Sequence, residues 1–346
     1  MDLLSEENVK KYILPHYDMA DADIIRIKFK NTDKQRAVYK VNYSNKNYCL
    51  KKVYFDESNL LFVYSAIEWL SRNGIRVPRI LPTIRKNRFV KYKGMLFIMT
   101  PWIIGVKCSY DDSLHLLYAI SNLSKMHLVS KNFFPIDGSK LRVNFENIYI
   151  SFQKHLNQLL NCSNLAFKYK DKFSTLFLRY FEINFMLAKI SARISSNINY
   201  KNLSVSLCHL DYVNKNIIFD EENNIWVIDF DKCSIDYCAH DISYFFRRFL
   251  KRNSTNWRLD TTISCLELYE KTFPLTLDDY KYIISYLSFP QKFWKISRDY
   301  YNNILKCNHN SFIYLLKKYS SSCQNQLKFT IEFGKYIEKK FDTTFQ

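Results

Sequence analysis

The sequence predicts an α+β protein with two lobes, a small antiparallel β N-terminal lobe with one packed helix and a large, mainly helical C-terminal lobe. Strand-like runs separated by turn residues are concentrated before residue 102. Apolar residues at helical spacing dominate after that position. Residues 217–228 interrupt the helical part with two β-branched runs that are typical of a hairpin. We therefore expect the lobes to cover residues 1–102 and 103–346.

The composition is that of a globular protein. The chain has 346 residues, of which 47% are hydrophobic and 17% aromatic, enough for a sizeable buried core. The five glycines and seven prolines are scattered, and no repeat or Ser/Gly-rich linker separates the lobes. The first residues are acidic where a secretory signal needs positive charge, and no run of about 18 apolar residues occurs. We expect synthesis in the cytoplasm and no transmembrane segment.

Charge and cysteine content narrow the class of partner. The formal net charge is +18, but the basic residues are dispersed rather than gathered in a block. A lysine-rich solvated surface therefore explains the charge better than a nucleic-acid site does. The nine cysteines show neither a CxxC pair nor a Cys/His metal spacing. Reduced core cysteines are the expected state, and crosslinking in a later oxidising assembly stays an alternative.

The N-terminal lobe is expected to begin with a helix capped by Ser5, because Glu6 and Glu7 complement the unpaired N–H groups of a first turn. A further helix over Leu60–Asn73 ends before Gly74 and packs on the sheet. The predicted strands of that sheet are Ile24–Phe29, Ala37–Tyr43, Tyr48–Val53, Arg88–Tyr92 and Met95–Thr100. Turns are expected at Ser44–Asn47 and Lys93–Gly94.

The C-terminal lobe is expected to be helical apart from the strand-like run Val205–Cys208 and the hairpin, its only obvious sheet. Thr276 and Asp279 have the spacing of a capping box. Helical periodicity predicts helices at Ser113–Leu128, over much of 145–200, and at Asp241–Lys251, Thr262–Phe273, Leu277–Tyr286, 293–305 and 310–341.

The hairpin is the feature that predicts a function. Its strands are Ile217–Phe219 and Ile225–Ile228, joined by the polar cluster Asp220–Asn224. Asn216 precedes the first strand and Asp229 follows the second, so both side chains emerge at the open end, where paired strands lie about 5 Å apart. One cation can bridge that distance. Oxygen ligands of this kind suit Mg²⁺ rather than zinc.

His209 and Asp211 are the predicted catalytic residues. They lie just before the hairpin and form the pattern His-x-Asp-x-x-x-x-Asn with Asn216. Asp211 is placed to accept the proton of an attacking hydroxyl, while Asn216 and Asp229 hold the Mg²⁺ that bridges nucleotide phosphates, as in kinase-type transfer. The predicted cofactors are Mg²⁺ and ATP or another nucleoside triphosphate. The alternative is a set of Asp and Asn residues that only form turns.

This pattern, followed by Ile-Asp-Phe-Asp at residues 228–231, resembles the aminoglycoside phosphotransferase and choline kinase group of the protein-kinase-like fold. The resemblance implies a bilobed protein-kinase-like fold. It also implies that Lys51, in Tyr-Cys-Leu-Lys, is the third-strand lysine that pairs with nucleotide phosphates. Because side chains alternate along a strand, Lys52 is expected on the opposite face.

Further site residues follow from the same resemblance. It places Met99, Thr100 and Trp102 at the hinge, where the family's chain meets adenine. It assigns to Asp241, in His-Asp-Ile, the bracing of the catalytic loop. The predicted partners are therefore a nucleotide and an unknown hydroxyl substrate.

A narrower resemblance covers nearly the whole chain. Several segments look like the CotS-type spore coat proteins, namely Gly74–Ile80, Thr100–Gly105, Lys125–His127, Leu287–Ile296 and Tyr300–Asn302. The resemblance implies a kinase-fold protein that is made in the mother cell of a spore-former and deposited in the spore coat, with other coat proteins as partners. It leaves the biochemical activity open.

Two departures from the family pattern bear on activity. No glycine lies between residues 20 and 50, so we expect that the loop Lys30–Arg36 does not cover phosphates as a glycine-rich loop does. Val63 falls where the family's helix carries the glutamate partner of the lysine, and Glu57 and Glu68 are substitutes without the matching spacing.

Two classes of function follow. The first is a phosphotransferase that uses Mg²⁺ and ATP on a hydroxyl group of a small molecule or coat component. The second is a structural coat protein that keeps the kinase fold without turnover. Aminoglycosides are polycations, and a chain of charge +18 repels them, so drug modification is not the expected role. Nucleic-acid binding is a third class, for which the sequence has no dedicated motif.

Overall fold

A computed structural model describes residues 2–30 and 36–345. The loop Lys30–Arg36, which is not expected to cover phosphates as a glycine-rich loop does, falls mainly on residues 31–35, which lie outside the described residues. The α+β class predicted from the sequence is confirmed, because a small antiparallel sheet near the N-terminus is followed by a long, mainly helical part.

The N-terminal sheet has five antiparallel strands in the order β1-β2-β3-β5-β4. The strands are β1 (Asp23–Lys30), β2 (Arg36–Tyr43), β3 (Lys46–Lys52), β4 (Val90–Tyr92) and β5 (Met95–Pro101). All five were predicted, with ends that differ by a few residues. Strand β3 pairs with β2 on one side and β5 on the other, so it is a central strand. Any side chain on its open face is thus held by neighbours on both sides.

Two tight turns fix the register of this sheet. Ser44 and Asn45 join β2 to β3 with φ angles of 50° and 60°, and Lys93 and Gly94 join β4 to β5 with φ angles of 47° and 77°. Two consecutive left-handed residues are the signature of the two-residue hairpin turn whose twist matches that of the strands. Asparagine and glycine tolerate this conformation best, which is why the turns could be predicted from their sequence.

One helix precedes the strands of this sheet in the chain, and a second lies between β3 and β4. Helix α1 (Glu6–Tyr12) begins at Ser5, whose hydroxyl accepts a hydrogen bond from the Asn8 amide, as predicted. Helix α2 (Glu57–Arg72) begins at Asp56, whose carboxylate caps it in the same way, and Gly74 follows its end with φ of 80°. The core beside α1 and the sheet is formed by buried apolar side chains that include Val9, Ile13, Tyr39, Val41, Leu50, Phe97 and Met99.

The expected hairpin is present, but the expectation that it is the only sheet after residue 102 is wrong. Strands β8 (Ile217–Phe219) and β9 (Ile225–Val227) pair as predicted, and β6 (Val106–Lys107) adds a third strand in the order β6-β8-β9. A separate two-stranded sheet joins β7 (Val205–Cys208) to β10 (Ser234–Tyr237). Strands β6 and β10 are too short to show periodicity in sequence, and pairing with a distant strand creates them.

The remaining elements are helices that confirm the predicted helical character. They are α3 (Ser113–Val129), α4 (Ile148–Tyr169), α5 (Lys172–Ser196), α6 (Cys238–Leu250), α7 (Leu259–Glu270), α8 (Leu277–Ser288), α9 (Gln291–Asn302), α10 (His309–Ser320) and α11 (Cys323–Phe341). The segment 310–341, predicted as helical throughout, is interrupted at Ser321 and Ser322. The capping box predicted at Thr276 and Asp279 is present at the start of α8.

The chain folds into two compact units. The first contains residues up to Ser109 together with Asn122–Val143 and Ser206–Ile235, and the second contains Tyr110–Ser121, Asn144–Val205 and Asp236 onward. The β sheet, the hairpin and the loop before it therefore belong to one unit. The lobe boundary near residue 102 stays a prediction. Within the described residues, no helix has the length and apolar character that crossing a membrane requires.

Candidate active site

The hairpin brings Asn216 and the start of the Asp229 segment together at its open end. Beyond the last paired residues of β8 and β9, the Ile228 amide donates to the Asn216 carbonyl at 2.9 Å, which extends the ladder by one hydrogen bond. At the closed end, the Asp220 carboxylate accepts from the Asn224 amide at 2.8 Å and the Trp226 indole N–H at 2.9 Å. The turn is thus fixed by its own side chain.

Asp229 leaves the hairpin in an unusual backbone conformation. Its φ of 68° and ψ of 63° are left-handed, a region that a residue with a Cβ adopts at some cost in free energy. A short helical turn, Phe230–Lys232, follows directly and carries Asp231, which is 4% exposed. Because of this sharp bend, the carboxylates of Asp229 and Asp231 contact the same neighbouring side chain.

That neighbour is Lys51 on the central strand β3. Its ammonium group lies 2.6 Å from Asp229 Oδ1 and 2.7 Å from Asp231 Oδ1. The structure therefore joins the strand lysine to the hairpin aspartate, two residues 178 positions apart in sequence. Lys52 alternates away from Lys51 along the strand and is buried, which lowers the pKa of its amine.

The three charged groups stabilise one another. Burial lowers the pKa of Lys51, but the charges of Asp231 and Asp229 raise it more, so the net pKa lies above its ordinary range. Burial raises the pKa of Asp229, but the Lys51 ammonium lowers it more, to about 2. Lys51 and Asp229 are therefore both ionised at neutral pH.

Asp211 lies between two lysines on the loop that follows β7. Its carboxylate is 3.2 Å from the Lys215 ammonium, 3.3 Å from the Lys232 ammonium and 3.1 Å from the Asn216 amide nitrogen. Burial raises the pKa of Asp211, and the Lys232 and Lys215 charges outweigh that effect, so the net pKa is lowered. The residue is 8% exposed and ionised at neutral pH, the state that a proton acceptor requires.

His209 ties this loop to the end of the hairpin. The Asp211 amide donates to His209 Nδ1 at 3.2 Å, so the proton of a neutral ring lies on Nε2, which contacts the Ile228 carbonyl at 3.0 Å. Both contacts are to backbone atoms, and the ring is buried. The geometry suits a residue that positions Asp211 relative to the Asp229 segment.

The residues predicted at the hinge differ in how deeply they are buried. The Met99 side chain is fully buried in the core, and its carbonyl accepts from the Leu81 amide at 2.8 Å. Thr100 and Trp102 are half-buried, and the Trp102 amide donates to the Asn47 carbonyl at 3.0 Å. Asp241 belongs to the second unit, where it is buried in the first turn of α6. Adenine contacts at the hinge and the bracing role of Asp241 stay predictions.

The acidic side chains of α2 and its start take other positions. Val63 is buried, and Glu57 is exposed. Glu68 forms a two-pronged ion pair with Arg79, with distances of 3.0 and 2.7 Å. The carboxylates bound to Lys51 therefore come from the segment after the hairpin rather than from the helix.

Sequence reasoning did not assign three residues that shape this site. Asp231 was visible as the second acid of the Ile-Asp-Phe-Asp run and could have been assigned from it. Lys215 lies four residues after Asp211, a spacing that brings side chains together in a helical turn. Lys232 has no comparable pattern, because only the turn after Asp229 brings it to Asp211.

Comparisons with known proteins show what this chain resembles in sequence and in fold. Spore coat protein S of Bacillus subtilis (strain 168) is 20% identical over 303 residues, which covers 86% of this chain and 85% of that protein. An aminoglycoside phosphotransferase from Alicyclobacillus acidocaldarius superposes with a TM-score of 0.78 at 17% identity, over 94% of this chain and 95% of that one. Spectinomycin phosphotransferase, crystallised with ADP and spectinomycin, gives a TM-score of 0.66 at 17% identity, over 94% and 98%.

These similarities confirm two predictions made from the sequence. The fold is the bilobed protein-kinase-like fold of the aminoglycoside phosphotransferases. The resemblance to CotS-type spore coat proteins within that superfamily is also confirmed. A profile of the phosphotransferase enzyme family matches residues 31–271, more than half of the sequence, and this chain therefore belongs to the phosphotransferase enzyme family.

Proposed function

We propose that this chain binds a nucleoside triphosphate with Mg²⁺ and transfers a phosphoryl group to a hydroxyl of a small molecule or a coat component. The observation that supports this most is the contact of Lys51 with both Asp229 and Asp231, at 2.6 and 2.7 Å. A strand lysine and two acids joined in this way provide a cation for phosphates and carboxylates for a metal ion in one place.

The residues of this site fit a magnesium ion. Asp231 Oδ2 is buried and has no hydrogen-bond partner among the described residues, so one carboxylate oxygen is left to face a cation. The Asn216 amide nitrogen donates to the carbonyl and the carboxylate of Asp211, which leaves its oxygen as the atom that can ligate a metal. Asp229, Asp231 and Asn216 would hold the ion. Bound Mg²⁺ supplies charge that neutralises the phosphates during transfer.

The other side chains divide the remaining tasks. Asp211 is ionised and accepts the proton of the attacking hydroxyl, and its pKa is held low by Lys232 and Lys215 against the effect of burial. Lys51 binds the nucleotide phosphates. We assign His209 a positioning role, because its contacts with the Asp211 amide and the Ile228 carbonyl fix the catalytic loop.

The place of action is proposed from the relative that the chain resembles over most of its length. Spore coat protein S suggests deposition in the spore coat after synthesis in the mother cell, with other coat proteins as partners. A second candidate function, a structural coat protein without turnover, is favoured by the contacts of α2. Its Glu68 is held by Arg79, and by the family resemblance the buried Val63 falls where a glutamate is expected.

Magnesium-dependent ATP binding and turnover test both candidates. We expect Asp229→Asn to weaken magnesium-dependent ATP binding by roughly tenfold or more, since it removes a ligand charge. Asp211→Asn should keep binding but lower turnover about 100-fold or more. Asp260→Asn, at an exposed ion pair with Arg258, is the control and should match the wild type. Absence of ATP binding by the wild type would contradict the proposal, and binding without product over a panel of hydroxyl compounds would favour the structural role.

A further inference from the structure

The second unit contains a cluster of basic side chains that the proposed phosphotransferase site does not use. Helix α6 ends with Arg247 and Arg248 in its last turn and Lys251 at its C-cap. Lys292 is in the first turn of α9, which begins after Pro290 without a side-chain cap. We call these four residues the basic cluster.

Aromatic side chains hold the arginines of the basic cluster in place. The Arg247 guanidinium lies 4.0 Å from the centroid of the Tyr286 ring and donates to the Tyr286 hydroxyl at 2.6 Å. Arg248 lies 4.8 Å from the centroid of the Tyr244 ring. A guanidinium stacked on a ring keeps a fixed orientation and loses little rotamer freedom on binding a ligand. The cluster is therefore partly pre-organised.

Among the described residues, carboxylates pair with neighbouring arginines but not with Arg247, Lys251 or Lys292. Arg252 pairs with Asp111, Arg258 with Asp260 and Arg298 with Asp299. In the described part of the chain, no carboxylate lies within 4.0 Å of the cationic groups of Arg247, Lys251 or Lys292. Positive charge is thus concentrated at these three residues, whereas Arg252, Arg258 and Arg298 are each paired with a carboxylate.

The unbalanced positive charge of the basic cluster disfavours protonation of Lys251. It is half-buried, and burial together with the charges of Arg247, Lys292 and Arg248 lowers the pKa of its amine to about 7. The carbonyl end of α6 favours cations and accounts for Arg247 and Lys251. It does not account for Lys292, which lies at the amino end of α9, where the helix dipole opposes a cation and favours an anion.

We propose that the basic cluster of Arg247, Arg248, Lys251 and Lys292 binds a small oxyanion of the phosphate class, either inorganic phosphate or a phosphate monoester. A dianion would balance the clustered charge, the fixed Arg247 fork suits a phosphate or carboxylate edge, and the uncapped start of α9 offers backbone N–H groups. All four residues belong to the second unit, so this is a ligand site additional to the one built on Asp229 and Lys51.

Titration of Lys251 by NMR of isotopically methylated lysines tests the proposal directly. We expect saturating inorganic phosphate to raise the pKa of Lys251 from about 7 to above about 8, because a bound anion favours the charged amine. Glycerol phosphate as the second probe distinguishes a monoester site from a site for free phosphate. Asp229→Asn should leave the response intact, which separates it from the nucleotide site. An unchanged Lys251 titration with both probes would overturn the proposal.

Variants and pH provide an independent check. Lys292→Gln, at an exposed position, should weaken phosphate binding about tenfold, whereas Lys168→Gln on exposed α4 should not. Sulfate, whose charge is constant here, should bind more tightly as pH falls from 8 to 6, and Lys251→Met should abolish that trend. The charged groups that act on Lys251 are Arg247, Lys292 and Arg248, and the rings of Tyr286 and Tyr244 contact the two arginines. Binding that is insensitive to both substitutions would refute the site.

Discussion

Asp231 pairs with Lys51, as Asp229 does, and is almost fully buried. We therefore expect a substitution of Asp231 to lower the stability of the fold as well as ligand binding. Asp231→Asn keeps the shape of the side chain but removes a charge that raises the pKa of Lys51. Because Asp229 still pairs with Lys51, we expect the free energy of unfolding to fall by about 1–2 kcal/mol rather than by the full cost of an unpaired buried charge. Urea unfolding of wild type and variant measures this difference.

Asp260→Asn is the matched control for that measurement. Asp260 and its partner Arg258 are 62% and 64% exposed, and an ion pair of this kind contributes less than about 1 kcal/mol. If both variants lose the same small amount, the contact between Lys51 and Asp231 does not stabilise the fold, and the role of Asp231 lies only in binding.

At the residue scale, the sequence predicted which side chains form the candidate site but not all of the contacts between them. The convergence of Asn216 with the Asp229 segment follows from strand pairing, which periodicity reveals. The approach of Lys51 to Asp229 joins residues that are far apart in the sequence of one unit, and no local pattern encodes such a contact. The lysines around Asp211 are a similar case, since a left-handed residue at position 229 turns the chain so that Lys232 reaches back.

At the scale of elements, the residues that cap the start of α8 also bind a distant part of the chain. The Thr276 hydroxyl accepts from the Asp279 amide at 3.1 Å, and the Asp279 carboxylate accepts from the Thr276 amide at 3.0 Å. Asp279 also accepts from the amide and hydroxyl of Ser204, at 3.0 and 2.7 Å. The same carboxylate thus caps α8 and holds the residue that precedes β7.

We expect Thr276→Ala to lower the free energy of unfolding by about 1 kcal/mol, because it removes the side-chain half of the capping box. Thr276→Ser keeps the hydroxyl and should lose much less. Thermal and urea denaturation of both variants measures the effect. Equal losses in the two variants would show that the methyl group, not the cap, is what α8 needs.

Elements with a local cause were predicted well, and elements with a tertiary cause were not. The caps at Ser5 and Thr276 and the turn at Ser44–Asn45 follow from side-chain chemistry within a few residues. Strands β6 and β10 have two and four residues and exist because distant strands pair with them. The break between α10 and α11 falls at two adjacent serines. Serine has an intermediate helix propensity, so these residues do not mark a helix end in the sequence.

At the scale of the whole molecule, the chain crosses between its two units several times. The first unit collects three separate segments, so the residues of the candidate site come from positions between 51 and 232. Composition and periodicity could place the change from strands to helices near residue 102, but they give no information about which later segments return to the first unit. Family resemblance supplied that long-range order where local physics could not.

The distribution of thiols decides how this protein can crosslink. The structure places all nine cysteines as thiols, of which Cys49 and Cys307 are half-buried and the other seven are buried. Burial raises the pKa of Cys49 to about 11, which keeps it protonated and slow to react. Cys307 is therefore the thiol best placed for exchange with a partner, which limits the crosslinking alternative left open by the cysteine count.

We expect a thiol reagent such as Ellman's to modify about one cysteine rapidly in the native protein, a second slowly, and all nine in denaturant, because the thiolate must be exposed to react. Cys307→Ser should remove the rapid phase and prevent dimers formed under mild oxidation. Cys265→Ser, at a fully buried position, should change neither. A rapid phase that survives in Cys307→Ser, or that modifies many thiols, would mean that buried cysteines become accessible in solution and that crosslinking is not confined to this position.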